Sequence, residues 1–168
     1  MACSTYRTIL GNSACSFAVM LASAATAQDG PSYTVFGTPG LIEMPTAESA
    51  EASDIAATFA YSPSGGYRTS FTYQLTPRLS ASFRYAGFDI YNFDINDPVL
   101  ETFDRSFDLQ YRFNEEGTYM PAVAVGLRDF LGTGRFGSEY VVASKSFGPN
   151  LIVSGGLGWG RMGTKNSF

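Results

Sequence analysis

The residues best equipped for chemistry surround one glycine-rich stretch. Asp129 and Glu139 flank it, Arg128 and Arg135 lie beside them, and Gly132-Thr133-Gly134 forms its middle. Two carboxylates bracketing a loop could serve as acid and base on a glycosidic bond. Ion pairs that hold the base of a loop account for the same residues with less demand, and that is the expectation. Gly132-Thr133-Gly134 lacks the lysine and the following helix of a phosphate loop. No helical pattern follows Gly155-Gly156-Leu157-Gly158-Trp159-Gly160 either, and glycine in a curved strand is its plainer cause. The sequence has no histidine, which removes the commonest general base and zinc ligand. These readings point to a non-enzymatic chain with no cofactor and no metal.

Few charges are present to do other work. Charged residues make up 15% of the 168 positions and aromatics another 15%, with a net charge of -4. No basic cluster appears, so nucleic acid is not an expected partner. The acids concentrate between the apolar runs, at Asp89, Asp94, Asp97, Glu101, Asp104, Glu115 and Glu116. They read as solvated loop charges, with a weak divalent-cation site as the lesser alternative. Tyr91 and Phe93 in the same stretch fit either sugar stacking or a membrane-interface belt.

The N-terminus reads as an export signal. Arg7 precedes an uncharged run from Thr8 to Gln28, Ala14 to Ala22 forms its apolar centre, and Ala25-Thr26-Ala27 supplies an A-x-A cleavage pattern. Residues 1–27 are therefore expected to be a cleaved signal peptide. The centre is too short for a spanning helix, which needs about 20 apolar residues. Cys3 and Cys15 both fall in this leader, and Asn12-Ser13-Ala14 before Cys15 lacks the leucine of a lipidation site. Residues 28–54 are expected to be a lead-in segment and linker, with Glu48 to Asp54 at most one short turn.

Beyond Ile55 the sequence alternates with period two, the strand signature. Phe71, Tyr73 and Leu75 oppose Ser70, Thr72 and Gln74. Leu79, Ala81, Phe83 and Tyr85 oppose Ser80, Ser82 and Arg84. Phe107, Leu109, Tyr111 and Phe113 oppose Ser106, Asp108, Gln110 and Arg112. Val123, Val125 and Leu127, then Leu151, Val153, Leu157 and Trp159, continue the pattern, and the faces of 140–147 stay unassigned. The connections read as 62–66, 76–77, 87–104, 114–118, 130–137 and 148–150, each odd one longer than the even one after it. Long loops on one side and short turns on the other mark an outer-membrane barrel.

The expected fold is thus all-β, an antiparallel up-and-down transmembrane β-barrel over 55–168, with lipid as the partner of its apolar face. Its polar face, with Ser70, Thr72, Gln74, Ser82, Arg84, Asp108, Gln110 and Arg112, would line the interior. A charge on the lipid face near the bilayer centre costs about 2–4 kcal/mol, and nearly every charge in a clear strand lies on the polar face. The rival fold is a soluble sandwich, in which the same aromatic stripe becomes core. Seven strands are an odd number, and barrels of one bacterial chain have even counts. Either Thr34 to Glu43 adds a strand, or this is the N-terminal part of a larger barrel, the preferred expectation.

Several stretches resemble a known family. GTPGLIEMPTA (37–47), TPRLSASFRYA (76–86), FDRSFDLQYRF (103–113), PAVAVGLRDFLGTGRFGSEYVVASKSF (121–147) and VSGGLGWGR (153–161) are similar to the N-terminal part of YjbH-type proteins. The resemblance implies an outer-membrane barrel linked to exopolysaccharide or capsule biosynthesis and export, much longer than this chain. It implies no catalytic residue. Some relatives carry a lipobox that this chain lacks. The functional expectation is a barrel that assists exopolysaccharide export, with polymer and envelope components as partners. The alternatives are a structural or adhesive barrel, or a soluble periplasmic sugar-binding sandwich.

Overall fold

Period-two alternation needs a sheet with two unlike sides, and the chain builds one. The computed structural model describes residues 30–62, 66–90, 100–134, 136–148 and 151–163. The expected signal peptide and the residues Tyr91, Phe93 and Arg135 lie outside them. A small hairpin comes first, β1 (Gly40–Leu41) with β2 (Met44–Pro45). Seven antiparallel strands follow: β3 (Ile55–Ser62), β4 (Gly66–Thr76), β5 (Leu79–Ile90), β6 (Leu100–Asn114), β7 (Ala122–Leu131), β8 (Ser138–Ser146) and β9 (Ile152–Gly160). They pair strictly in chain order within one sheet. The fold is therefore all-β and antiparallel with up-and-down connectivity, and the sheet curls like part of a barrel wall.

The sheet is inside-out by the standard of a soluble domain. In β4, Ser70, Thr72 and Gln74 are buried while Phe71, Tyr73 and Leu75 are exposed. β5 and β6 repeat this: Ser80, Ser82, Arg84, Ser106, Asp108 and Gln110 are buried, whereas Phe107, Tyr111 and Phe113 face outward. Phe59 on β3 is 71% exposed. Ordinary cores bury apolar side chains and leave lysine, glutamate, arginine and aspartate outside. A sandwich would need a second sheet over the aromatic face. All seven long strands belong to one sheet instead, and that face is uncovered among the described residues.

Three sequence expectations change. The 87–104 loop shrinks, because Gly87↔Phe103, Phe88↔Thr102, Asp89↔Glu101 and Ile90↔Leu100 extend the β5–β6 ladder. Backbone pairing needs only N–H and C=O groups, which acidic residues also supply. The other turns also move, to 77–78, 115–121, 132–137 and 147–151, so the contrast between long loops and short turns weakens. The faces of 140–147 become definite: Tyr140, Val142 and Ser144 turn to the buried side.

Residues 30–54 are the largest departure. They neither form a linker nor add a strand to the sheet. They lie across its concave side, and their backbone supplies hydrogen bonds to it. The carbonyl of Gly37 accepts from Thr72 Oγ1 on β4 and from Ser82 Oγ on β5. The carbonyl of Thr46 accepts from Gln110 Nε2 on β6, and that of Glu43 from Arg128 on β7. The amide of Ala47 donates to Ser144 Oγ on β8 at 2.8 Å. One short segment reaches five successive strands, which is possible only because the sheet bends around it. Gly37 is required where it lies, since its φ is +88° and a Cβ there would stand 2.7 Å from Ser70 Cβ.

Candidate functional site

Inward side chains of strands that curl together must converge, and here they are mostly polar. Removed from water, each needs a partner. Arg84 and Asp108 supply one another. Their ion pair spans 3.0 Å with both side chains 0% exposed. The other oxygen of Asp108 accepts from the amide of Asp129 at 2.7 Å, and Asp129 Oδ2 accepts from the amide of Phe136 at 2.9 Å. This relay fixes a backbone irregularity. Asp129 has a φ of +53°, tolerable for aspartate in the left-handed region. The result turns the chain from β7 into 132–137.

Of the eight residues expected on the interior, Ser70, Thr72, Gln74, Ser82, Arg84, Asp108 and Gln110 are buried together on the concave face. Arg112 is different. It lies half-buried near the strand end, donates to the Pro77 carbonyl at 3.0 Å and stands 3.7 Å from Glu115. The interior that these residues were expected to line is partly filled. Thr72, Gln74, Ser82 and Gln110 bond to Gly37, Ser49 and Thr46, so the chain itself occupies that space.

The two carboxylates that could have formed an acid–base pair do not. Asp129 is buried and bonded to backbone, whereas Glu139 is exposed on the opposite face. Of the arginines expected to pair with them at the loop base, Arg128 reaches the Glu43 carbonyl instead of either acid, and Arg135 lies outside the described residues. Among the described residues no group of three acidic, histidine or cysteine side chains could hold a metal.

One grouping escaped the sequence reading. Phe36 from the lead-in segment packs on Phe136 with ring centres 6.0 Å apart. The guanidinium carbons of Arg128, Arg84 and Arg68 lie 4.5, 5.0 and 5.3 Å from the centre of Phe36. Arg68 and Arg161 approach Phe136 at 5.5 and 6.0 Å. Each such contact is worth about 0.5–2 kcal/mol. Four cations from β4, β5, β7 and the residue after β9 thus share two rings. The parity of Arg68, Arg84 and Arg128 with Ser70, Ser82 and Gly126 was a usable signal. The placement of Phe36 was not, since nothing local docks that segment.

The rest of the concave face changes character. Along β7 and β8 it is small and apolar, with Ala122, Ala124, Tyr140 and Val142 packed on Ala47. Tyr140 keeps its hydroxyl satisfied by donating to Gln110 Oε1 at 2.7 Å. Its ring lies where Gly126 leaves room, since a Cβ on that glycine would collide with it.

Comparison with known proteins agrees with the sequence resemblance. Residues 32–168 match the family described as "Exopolysaccharide biosynthesis protein YbjH" (YjbH). A curated relative, "Uncharacterized lipoprotein YjbH" of Escherichia coli (strain K12), is 39% identical over 142 residues, 82% of this chain and 20% of the relative. The chain spans about a fifth of that relative's length. No solved structure matches.

Proposed function

Because this chain belongs to the YjbH family of exopolysaccharide biosynthesis proteins, we propose that its seven-stranded sheet is a section of outer-membrane barrel wall serving polymer export. The inverted polarity of the sheet carries the reading. In water the exposed row of Phe59, Phe71, Phe107 and Phe113 would drive aggregation. In a bilayer it is the favourable surface, and among the described residues strands are the elements able to span it. Three outward charges also fit. Arg105, Glu139 and Lys145 leave the apolar side, and a charge near the headgroups costs only about 0–1 kcal/mol.

The role is non-enzymatic. The protein provides a wall and an internal segment that sets how much of the interior is open to a hydrated polymer. The decisive test is fractionation of envelopes, with samples run boiled and unboiled on a gel. An outer-membrane band whose migration shifts on boiling is expected. A soluble band indifferent to boiling would overturn the barrel. Deleting the gene should lower secreted polymer, and unchanged secretion would remove the export role.

A second reading follows from the lipoprotein description of the Escherichia coli relative. Here Cys15 would be the acylated N-terminus and the lipid would tether the chain. The intact mass separates the two. A chain beginning at Gln28 supports the cleaved leader, and an acylated chain beginning at Cys15 supports the tether.

A further inference from the structure

On the convex face, Leu127, Glu139 and Trp159 form one row across β7, β8 and β9, because Leu127 pairs with Glu139 and Glu139 with Trp159. Together with Phe130, and with Gly134 and Gly137 of the following loop, they border a groove of about 590 Å³. Arg128 and Asp129 also reach it, but both side chains are buried and bonded, Arg128 to the Glu43 carbonyl and Asp129 to the Phe136 amide. The side chains open to the groove are thus Leu127, Phe130 and Trp159, which are 42%, 43% and 49% exposed, and one carboxylate.

Glu139 shares the outward side of β8 with Lys145, six residues on. Six residues of strand rise about 20 Å, or about 15 Å in height once the strand tilts as barrel strands do. The apolar band of such a wall is about 25 Å tall. The two charges cannot both clear it, so each calls for a counter-charge at its own border. Lys145 has one: Glu116 stands 3.1 Å away, and the Thr118 carbonyl accepts from the ammonium at 3.1 Å. The Glu139 carboxylate has no hydrogen bond or ion pair among the described residues.

We propose that this groove seats a lipid whose headgroup carries a primary ammonium. The ammonium lies on Glu139 beside the indole face of Trp159, and the acyl chain runs along Leu127 and Phe130. Charge complementarity selects this occupant, since an apolar groove with one carboxylate suits an apolar chain that ends in a cation. An aromatic face adds to the attraction of an ammonium, whereas a headgroup with phosphate alone would meet a like charge. The proposal names a partner for the barrel wall above and rests on that reading.

Trp159 is the single tryptophan of the chain, so its fluorescence reports on this groove. The test uses the protein reconstituted in phosphatidylcholine vesicles, with chelator present to remove any metal bridge. Acyl-brominated phosphatidylethanolamine or acyl-brominated phosphatidylglycerol is then added as quencher. The ethanolamine lipid should associate about two- to fivefold more strongly than the glycerol lipid, the worth of one exposed ion pair. Glu139→Gln should bring that ratio close to one, while Lys145→Gln, at the other end of the strand, should leave it unchanged. A preference that survives Glu139→Gln would overturn the proposal. Should Glu139→Gln fail to fold, added salt decides on the unaltered protein: a preference from an ion pair shrinks, and one indifferent to salt overturns the proposal. Equal quenching by both lipids in the unaltered protein defeats this inference alone, whereas quenching by neither takes Trp159 out of the bilayer and defeats the barrel reading.

Discussion

The two faces of the curled sheet solve opposite problems with the same backbone. The convex face, with Phe71, Phe107 and Phe113, makes few demands on geometry and depends on what surrounds the protein. The concave face, with Thr72, Arg84, Asp108 and Gln110, takes its partners from the chain itself through the ion pair and the segment 37–50, while Arg84 Nε and Nη2 find none among the described residues. Apolar burial is non-directional. Hydrogen bonding is directional and costly when incomplete. Mutations should therefore act by surroundings on one face and by lost partners on the other.

The sharpest break is Asp108→Ala. It strands Arg84 and frees the Asp129 amide, and removing one member of a buried pair costs about 3–5 kcal/mol. Denaturant unfolding in detergent, followed by the fluorescence of Trp159, would read it. Replacing Arg84 and Asp108 together by methionine and leucine should recover much of the loss. Next in size is the convex face. Phe107→Arg should cost about 2–4 kcal/mol in lipid vesicles, while Ser106→Ala, one residue away and facing inward, should cost about 1 kcal/mol or less. Similar values for the two would erase the contrast between faces.

Gly37→Ala tests the docked segment. Strain at its positive φ, plus the collision with Ser70, should cost about 1–3 kcal/mol. Hydrogen exchange at the amides of Thr34 to Ala47 should rise first, with the sheet ladders unchanged.

The smallest effect lies at a turn outside both faces. Glu116 accepts from the Ser146 hydroxyl and amide at 2.8 and 2.9 Å and pairs with Lys145 at 3.1 Å. The Ser146 hydrogen bonds, then Lys145, hold its carboxyl below the ordinary value. A depressed carboxylate contributes stability above its unfolded pKa, and that contribution is lost as pH falls through the folded pKa. Exchange protection of Ser146 should thus fall on acidification just below the ordinary carboxylate range. Glu116→Gln should show reduced protection at neutral pH and little further change with acid.

The sequence by itself determined the seven long strands, their order and, outside 140–147, which residues share a side, because period two is written locally in runs such as Ser70 to Leu75. It also placed Arg84 and Asp108 on one face, since parity alone decides that. The β5–β6 hairpin was underestimated because acidic residues such as Asp89 and Glu101 resemble a loop in composition while pairing by backbone. Only the tertiary structure decided that GTPGLIEMPTA folds back across the sheet. That docking rests on single carbonyls and amides of Gly37, Glu43, Thr46 and Ala47 meeting side chains from five strands. Backbone groups are the same in every residue, so no pattern of side-chain types announces such contacts. Curvature likewise decided that Arg68 and Arg161, far apart in the chain, reach the same ring of Phe136.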